Sequence, residues 1–380
     1  MDLILGTLGA SLGTFMSYVI PFVFVLTVIV FFHELGHFLV ARWCGVGIEA
    51  FSVGFGREIF GWTDRRGTRW KIGWLPLGGY VKFEGDANAA SLPSAEARRQ
   101  HGKASPGDFH GKAVWQRALV VVAGPAANFI LSIVIFAAAF AIIGAPISEP
   151  KVDQVMAGSA AEEAGFKPGD IILDIDGRQI KTFGDVQKII SDSADVALTV
   201  TVDRSGSRLA LQVTPTRTEV DDGLGGKIPI GRLGISRTDT SDFRYERQSP
   251  IEAVSMAVTE TNDTALRLLG YLHGIVTGRQ SADQLAGPIG IARITKEVAA
   301  VSISGLVQLV AVLSISIGLI NLFPIPMLDG GHLLYYAIEA VRGKPLGQAA
   351  QEMGFKLGLF VVLALMLVAT FNDLSRFNLF

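Results

Sequence analysis

The chain has 380 residues, of which 49% are hydrophobic and 18% are charged, and its net charge is −2. Its mean hydropathy of +0.42 is too high for an ordinary soluble protein and indicates a membrane protein. The absence of a basic tract or an aromatic platform excludes nucleic acid as a partner, and the single cysteine, Cys44, excludes an internal disulfide.

Four apolar runs are long enough to cross the hydrocarbon core of a bilayer, which is about 30 Å thick. They lie at about 17–41, 118–144, 305–325 and 355–372. The loop 42–117 holds 12 Lys and Arg against 7 Asp and Glu, whereas 147–304 holds 17 against 22. Because cytoplasmic loops carry an excess of basic residues, we expect the first loop in the cytoplasm, and both termini and the segment 147–304 on the exported side.

The first span contains FFHELGHFLV at 31–40, which includes the pattern H-E-x-x-H. On a helix, His33 and His37 lie on one face, one turn apart, so both imidazoles can bind one metal ion. Glu34 is rotated by about 100° from His33, so it can reach a metal-bound water without ligating, as a general base does. A zinc ion would lower the pKa of that water to about 7 and polarise a scissile carbonyl.

A chance match is the alternative, because surface helices often carry His and Glu as solvated groups. Inside an apolar span, however, two histidines and a glutamate are costly to bury without a metal or a pore. The span runs from outside to inside, so we expect the pattern toward the cytoplasmic side of the membrane. Zinc needs a third protein ligand, which must come from another span.

Residues 51–83 are rich in aromatic, β-branched and glycine residues and carry a turn signal at 64–67. This pattern predicts a β-hairpin, and its Trp62, Trp70 and Trp74 are typical of a membrane interface. One interpretation is an edge strand that pairs with an extended substrate beside the metal, because a peptide bond in a transmembrane helix is shielded until the helix unwinds. The other is a purely structural hairpin that covers the metal site.

Residues 84–112 are small and polar, without apolar periodicity. This composition predicts a mobile cytoplasmic linker. We expect His101 and His110 in it to be solvated rather than metal-binding.

Asn128 and a Gly-Pro pair at 124–125 interrupt the second apolar span. Small residues at such positions can pack helices closely against each other. Alternatively, Asn128 forms a hydrogen bond near the helices of the active site. The residues alone leave both interpretations open.

Residues 150–216 change to a soluble α/β pattern. The predicted elements are a strand with Ile171, Leu173 and Ile175 on one face, a tight turn at 176–177, a short helix at 183–191 and two strands around 205–206. The stretch GFKPGDIILDIDG resembles a PDZ domain, a fold that binds peptides by adding a strand to an exposed edge. We expect one PDZ domain at 146–216, which either binds a ligand or excludes bulky substrates from the membrane site by its size.

The next segment, 217–304, is expected to be an exported linker that is first irregular and polar and then amphipathic. The apolar spacing of the stretch that begins at Ile251 suits helices lying against the membrane or the PDZ domain. His273 in this stretch is interpreted as structural.

A candidate third ligand lies in NLFPIPMLDGGHLL at 321–334. Asp329 follows two prolines, which break a helix and leave irregular backbone at membrane depth, where protein or a water cavity must receive its polar groups. The alternative is a turn between two short helices in which Asp329 merely caps the second helix. Asn321 and His332 lie in the same segment, and His332 is expected to support a ligand or to be structural.

Together, HELGH in the first span and NLFPIPMLDG in a later one resemble the site-2 proteases, which are intramembrane zinc metalloproteases, and most closely the bacterial RseP type. The resemblance extends through AGPAANF at 123–129 and AGPIGIA at 286–292, so it covers most of the chain. What it implies for the site is that zinc binds to His33, His37 and Asp329, that Glu34 is the catalytic base and that Asn321 holds the unwound substrate.

The resemblance also implies a bacterial inner-membrane protein with a re-entrant sheet at 51–83. Its expected substrates are single-pass membrane proteins already trimmed on the exported side, such as anti-sigma factors or signal-peptide remnants. The best-known RseP-type enzymes carry two PDZ domains in tandem, whereas one copy is visible here.

The sequence therefore predicts an α-helical polytopic membrane protein of four spans with a membrane-associated β-hairpin and an inserted α/β PDZ domain. The predicted domains are an N-terminal membrane half at 1–145, the PDZ domain at 146–216, the linker at 217–304 and a C-terminal membrane half at 305–380. The main functional hypothesis is an intramembrane zinc endopeptidase.

Two other functions remain as alternatives. A metal transporter or sensor would need polar groups along several spans, which the middle of the second span almost lacks. A membrane-anchored PDZ adaptor would leave HELGH and LDG unexplained. The oligomeric state is open.

Overall fold

The structure, a computed structural model, describes residues 2–86, 106–221, 227–237, 243–281 and 286–375. The chain divides into two compact units. The first comprises Met1–Phe136, Val254–Leu268 and Ser281–Phe380, and the second comprises Ala137–Ala253 and Leu269–Gln280. His101 and most of the predicted linker lie outside the described residues.

Long helices dominate the first unit, and short strands dominate the second. The described helices are α1 (Asp2–Trp43), α2 (Val114–Ile142), α3 (Ala160–Glu163), α4 (Phe183–Asp192), α5 (Pro250–Val276), α6 (Pro288–Val301), α7 (Ile303–Asn321), α8 (Asp329–Arg342) and α9 (Gln348–Ser375). The described strands are β1 (Ile48–Thr63), β2 (Arg69–Phe83), β3 (Ala145–Ser148), β4 (Gln154–Val155), β5 (Ile171–Ile175), β6 (Arg178–Gln179), β7 (Leu198–Arg204), β8 (Ser207–Val213), β9 (Thr216–Asp221), β10 (Lys227–Arg232), β11 (Ile235–Ser236) and β12 (Phe243–Glu246).

Four helices are long and apolar enough to cross a membrane, which confirms the four predicted spans. They are Phe15–Trp43, Val114–Ile142, Ile303–Asn321 and Ala349–Ser375. The third span ends earlier than predicted, because α7 stops at Asn321. Pro324 and Pro326 follow closely, and a proline has no N–H to donate and clashes with the preceding helical turn.

The predicted hairpin at 51–83 is confirmed, because β1 and β2 are antiparallel partners. The sheet folds on itself, since Phe51 is paired both with Val81 and with Trp70. Residues 79–83 pair with β1 on one side only within the described chain, so they form an edge of the sheet.

Asp64 ties the hairpin turn to the end of α1. Its carboxylate accepts hydrogen bonds from the Arg42 guanidinium, from the Trp70 indole N–H at 3.2 Å and from the Arg66 backbone N–H at 2.8 Å. Burial acts to raise the pKa of this carboxyl, but the donors outweigh burial and lower the pKa to about 2. The turn therefore keeps its negative charge against the basic end of the first span.

The two described ends of the predicted linker are ordered around the start of β1. The Gly47 N–H donates to the Gly107 carbonyl and the Glu84 N–H donates to the Gly47 carbonyl, both at 2.8 Å. The prediction of a solvated His110 is wrong, because its Nε2 lies 2.9 Å from Oδ1 of Asp86, whose side chain is fully buried. The contact between His110 and Asp86 forms because the two ends of the segment 84–112 lie side by side. The polar composition of this segment does not show that its ends meet.

The second unit contains a four-stranded antiparallel sheet in the order β6-β5-β7-β8. The helix α4 packs Val186 and Ile190 into the hydrophobic core of this sheet. The predicted turns at 176–177 and 205–206 are confirmed, since their four residues all have φ between 50° and 87°. Tight hairpins of this hand require such φ values. The predicted helix is present as α4. It begins with a capping box between Thr182 and Asp185.

The strand β5 is present as predicted, but its faces are not. The sequence placed Ile171, Leu173 and Ile175 on one face, whereas the buried residues are Ile172 at 0% exposure and Ile175 at 2%. The pairing with β7 shifts register between Ile172 and Asp174. Such a bulge adds one residue to one strand, so the side chains beyond it change face.

Strands continue past residue 216, where the prediction of an irregular stretch is wrong. β9 and β10 form a hairpin, β11 pairs with β4, and β12 pairs with β3. Leu233 is buried in the same hydrophobic core as Val152 and Phe166. These strands are short and polar, and two of the four, β11 and β12, pair with partners far back in the chain, which local patterning does not reveal. The helices predicted after them are present as α5 and α6.

Asp170 anchors the turn before β5 to the end of β7. Its fully buried carboxylate accepts two hydrogen bonds from Arg204, both at 2.7 Å, and one from the Lys167 N–H at 2.8 Å. Burial acts to raise the pKa of Asp170, but these donors lower it below its ordinary value. The GFKPGD motif therefore stabilises the second unit through a charged turn.

We expect Asp170→Asn to destabilise the second unit by about 2 kcal/mol. Breaking a buried ion pair costs about 3–5 kcal/mol, and the effect is smaller here because the Arg204 side chain is 25% exposed. The folded carboxyl has the lower pKa, so its stabilisation is present above the unfolded pKa and is lost as the pH falls through the folded pKa. Amide-exchange protection of β5 and β7 in the whole protein, followed from about pH 6 to about pH 3, measures both effects.

Asp195→Asn is the matched control, because Asp195 pairs with Arg217 while both side chains are more than half exposed. Exposed pairs contribute little, so protection should change by less than about 0.5 kcal/mol. Equal losses in the two variants would contradict the special role of the buried carboxylate.

Asp373, on the last span, caps the N-terminus of α6. One carboxylate oxygen accepts from the Gly287 N–H at 3.1 Å, and the other accepts from the Gly290 N–H at 2.8 Å. A Cβ atom on either glycine would overlap this carboxylate. A carboxylate at a helix N-terminus satisfies unpaired N–H groups and the helix dipole. The AGPIGIA motif thus joins α6 to the last span.

Candidate metal centre

The structure brings together His33 and His37 of α1 and Asp329 of α8. Asp329 Oδ2 lies 3.1 Å from His33 Nε2 and 3.5 Å from His37 Nε2, and the two Nε2 atoms are 3.2 Å apart. Each side chain is less than one fifth exposed. In the part of the chain that the structure describes, no other group of three His, Cys, Asp or Glu side chains is arranged to share an ion.

These spacings fit a tetrahedral zinc ion. Zinc bonds of about 2.0–2.2 Å at tetrahedral angles separate neighbouring ligand atoms by about 3.3–3.5 Å. Asp329 Oδ2 is buried and accepts no well-formed hydrogen bond from the described chain. A cation between the three side chains satisfies that oxygen and the two imidazole lone pairs together. Three protein ligands leave a fourth position for water or substrate, as in catalytic zinc sites.

Groups on α2 fix the His37 ring. His37 Nδ1 lies 2.9 Å from the Val120 carbonyl oxygen. Because a carbonyl only accepts, Nδ1 carries the proton and the lone pair is left on Nε2. A Cβ atom on Gly124 would overlap the His37 ring, and one on Gly36 would overlap the Ala123 carbonyl. Glycine at these two positions therefore lets α1 and α2 approach closely.

Asn128 of α2 lies against the other histidine. Its side chain is fully buried, and its amide lies 3.3 Å from His33 Nδ1. Both interpretations that the sequence left open are therefore confirmed: Gly124 allows close helix packing, and Asn128 lies within hydrogen-bonding distance of His33.

Asp329 reaches the histidines because the chain is irregular between α7 and α8. The N-cap of α8 is Leu328, without a side-chain cap, so the alternative in which Asp329 caps the helix is wrong. Met327 has φ +91°, a left-handed conformation that a residue with a side chain rarely adopts. A Cβ atom on Gly331 would lie 2.6 Å from Pro326 Cα. The LDGG motif thus supplies both the carboxylate and the space for a tight turn.

The last span, which is part of α9, packs against this turn. A Cβ atom on Gly358 would overlap the Pro326 carbonyl oxygen, and one on Gly354 would overlap the Tyr335 hydroxyl. Small residues allow such close approach between elements in membranes. Contact with α9 therefore restrains the segment that precedes Asp329.

A cavity of about 300 Å³ lies beside the three side chains. Its lining includes all three of them together with Glu34, Asn321 and His332, so every predicted site residue lies around one space. The Val81 N–H donates to the Glu34 carboxylate. A Cβ atom on Gly79 would lie 3.2 Å from Glu34 Cγ. The β2 edge therefore passes directly beside Glu34.

Arg117 and Glu339 anchor α8 to α2. Their two hydrogen bonds measure 3.1 and 2.7 Å, and both side chains are largely buried. The guanidinium carbon also lies 4.9 Å from the centre of the Tyr336 ring, which lines the cavity. This cluster restrains the helix that begins with Asp329.

Sequence reasoning missed Val120 and the Arg117–Glu339 pair. A backbone carbonyl leaves no trace in a sequence, so the partner of His37 could not be predicted. The pair did leave a signal, because Arg117 and Glu339 are charges at the edges of two apolar or amphipathic segments. Nothing in the sequence said that these segments are neighbours.

Comparisons with known proteins agree with this geometry. The family model described as peptidase family M50 matches residues 21–365. The chain is 48% identical over 380 residues to an Agrobacterium fabrum protein that is provisionally named a zinc metalloprotease, covering 98% of this chain and 99% of that protein. It is 47% identical over 367 residues to a Rhizobium meliloti protein with a similar provisional name, covering 95% and 97%. It is 41% identical over 389 residues to the metalloprotease MmpA of Caulobacter vibrioides, covering 96% and 97%.

Proposed function

The chain belongs to peptidase family M50, the site-2 protease family, and is a zinc metalloprotease, and from this premise we propose that it cleaves the transmembrane segments of single-pass membrane proteins. The observation that carries the proposal is the set of three ligand atoms, 3.1–3.5 Å apart, beside Glu34 in one cavity. Two of the three ligand residues and Glu34 lie within the first apolar span. Chemistry at that position acts on a substrate that is itself in the membrane.

We assign His33, His37 and Asp329 as the zinc ligands and Glu34 as the general base. Zinc, when bound, supplies Lewis acidity that polarises the scissile carbonyl and lowers the pKa of water at the site to about 7. Glu34 takes a proton from the attacking water and returns it to the leaving amine nitrogen. The Val81 N–H bond holds the carboxylate of Glu34 in place while it does so.

Asn321 and the β2 edge hold the substrate. A transmembrane helix must unwind before its peptide bonds are accessible, and the freed backbone groups then need partners. Residues 79–83 form a sheet edge beside Glu34, and an extended substrate pairs there by strand addition. Asn321 lines the same cavity and offers both a donor and an acceptor to the unwound backbone.

The hairpin enters the membrane as a re-entrant sheet. Ile59, Phe60, Trp62 and Trp74 are each about half exposed or more, which suits lipid contact rather than water. By the distribution of basic residues, the active site lies toward the cytoplasmic side of the inner membrane, and both termini lie on the exported side. The expected substrates are remnants with short exported tails, such as trimmed anti-sigma factors or signal peptides.

In this proposal, the PDZ domain expected at 146–216 lies within the second unit. Support comes from the four-stranded sheet with α4, and from a cavity of about 560 Å³ lined by α4 and residues 230–235. PDZ domains bind peptides between a helix and a strand edge. The unit then either holds a trimmed substrate end or excludes substrates with bulky exported domains.

The test is cleavage of a single-pass model substrate by the protein in proteoliposomes, with products mapped by mass. We expect cutting inside the transmembrane segment, loss of cutting after zinc is removed with a chelator, and recovery when zinc is returned. A substrate with a folded exported domain should be cut more slowly than one with a short tail. If no substrate of a panel is cut while the same vesicles accumulate zinc, the protein is a transporter instead.

A further inference from the structure

We propose that Asn128 is a positioning residue for the metal site, whose side-chain oxygen accepts a hydrogen bond from the Nδ1–H of His33 and so keeps His33 Nε2 directed at zinc. The inference rests on the proposed zinc ligation by His33. It assigns a role to the AGPAANF motif of the second span, of which Asn128 is part.

The position of Asn128 is fixed by its neighbours. It is fully buried, and its backbone carbonyl accepts hydrogen bonds from Ser132 at 2.9 Å and from Ser314 at 3.0 Å. A Cβ atom on Gly318 would lie 3.1 Å from Asn128 Cβ, so α7 packs directly on this residue. The backbone and Cβ of Asn128 are therefore held in place beside the His33 ring.

The protonation of His33 decides which end of the amide faces it. A nitrogen that binds a metal carries no proton, so ligation through Nε2 leaves the proton on Nδ1, which then needs an acceptor. In the structure the Asn128 NH₂ group lies 3.3 Å from Nδ1, and the side-chain oxygen is buried without a partner among the described residues. If Nδ1 carries the proton, the Asn128 NH₂ group and the His33 Nδ1–H face each other, and both are donors.

Rotating the amide by a half turn exchanges its oxygen and nitrogen without changing its shape. The oxygen then lies at the distance where it accepts from His33. The first orientation leaves the side-chain oxygen without a partner among the described residues, so the His33 Nδ1 proton favours the second. His37 donates the equivalent bond to a backbone carbonyl, so Asn128 is the side chain that orients the other histidine.

The experiment measures zinc affinity of the full-length protein in detergent by competition with a chromogenic chelator. Asn128→Leu removes the acceptor at similar volume, and we expect zinc to bind about 10–100-fold more weakly, the usual cost of losing such a partner. Asn128→Asp keeps an acceptor in the same place and should bind zinc nearly as well as the native protein. Ser316→Ala is the matched control, because the Ser316 hydroxyl donates to the Val312 carbonyl of its own helix at 3.0 Å, and it should leave affinity unchanged.

Cobalt(II) absorption adds a readout that packing alone does not move. Asn128→Leu should change the ligand-field bands of the cobalt-substituted protein, and Asn128→Asp should retain the native bands. If Asn128→Leu unfolds at a clearly lower temperature than the native protein, Asn128→Ala is used in its place.

Two results separate the inference from the proposal beneath it. If Asn128→Leu binds zinc as tightly as the native protein while His33→Ala loses it, the inference is wrong and the ligand assignment stands. If Asn128→Asp is as weak as Asn128→Leu, an acceptor is not what His33 needs, and the inference is also wrong. If His33→Ala keeps native affinity, the ligand assignment itself fails.

Discussion

Glu34→Gln is expected to lower kcat for peptide-bond cleavage by about 10²–10⁴-fold, because glutamine has the shape of glutamate but accepts no proton from water. Zinc content and KM should stay near native values, since Glu34 ligates no metal in this assignment and the Val81 N–H can still donate to the amide oxygen. The measurement is the single-turnover and steady-state rate on a mass-mapped substrate, with zinc counted in the same sample.

Glu297→Gln is the control for this substitution. Glu297 lies on α6, is largely exposed and pairs with Arg293 at 3.6 Å. Its replacement should leave the rate within about twofold, as for most exposed pairs. Native rates in Glu34→Gln would remove Glu34 from the mechanism, and loss of zinc would make it a ligand rather than a base.

The second large effect is expected for Asp329→Asn, which changes a proposed zinc ligand and so weakens zinc binding. An amide has no charge to offset the cation, so zinc affinity should fall by more than the 10–100-fold typical of residues that only support a ligand. Cleavage should fall to background at submicromolar zinc and recover in part when zinc is added in excess. Chelator competition and the rate at several zinc concentrations together measure the loss.

The control lies one turn along the same helix. His332 lines the same cavity but is not part of the three-atom cluster. His332→Gln should keep the native zinc stoichiometry. If Asp329→Asn retains zinc and His332→Gln loses it, the third ligand is His332 and the assignment of Asp329 is wrong.

The four spans and the hairpin were predictable from local pattern. An apolar run of about 20 residues has few alternatives to a membrane span, and alternating aromatic and glycine residues around 64–67 leave few alternatives to a hairpin. The faces of β5 were not predictable, because one bulge after Ile172 reverses the alternation. Among the strands missed after residue 216, β11 and β12 have partners at the start of the second unit, which no local pattern shows.

The histidines and the aspartate of the candidate metal site also differ in how far local pattern predicts their positions. His33, Glu34 and His37 are placed by the 3.6-residue repeat of one helix, so their geometry is local. Asp329 was predictable as a rare acid in an apolar segment, but its distance from the histidines depends on α8 packing beside α1. Arg117 and Glu339 also hold α8 to α2, and no local pattern shows their pairing.

By itself, the sequence determined which chemistry is present: a helix carrying H-E-x-x-H at membrane depth, and a second apolar segment broken by prolines before an aspartate. These follow from periodicity and from the cost of burying charge, which act over a few residues. Only the tertiary structure decided that three candidate ligand atoms meet within 3.1–3.5 Å and that the β2 edge passes beside Glu34. Ligand spacing and ring orientation depend on contacts between segments far apart in the chain, and those contacts are set by packing and by backbone groups such as the Val120 carbonyl.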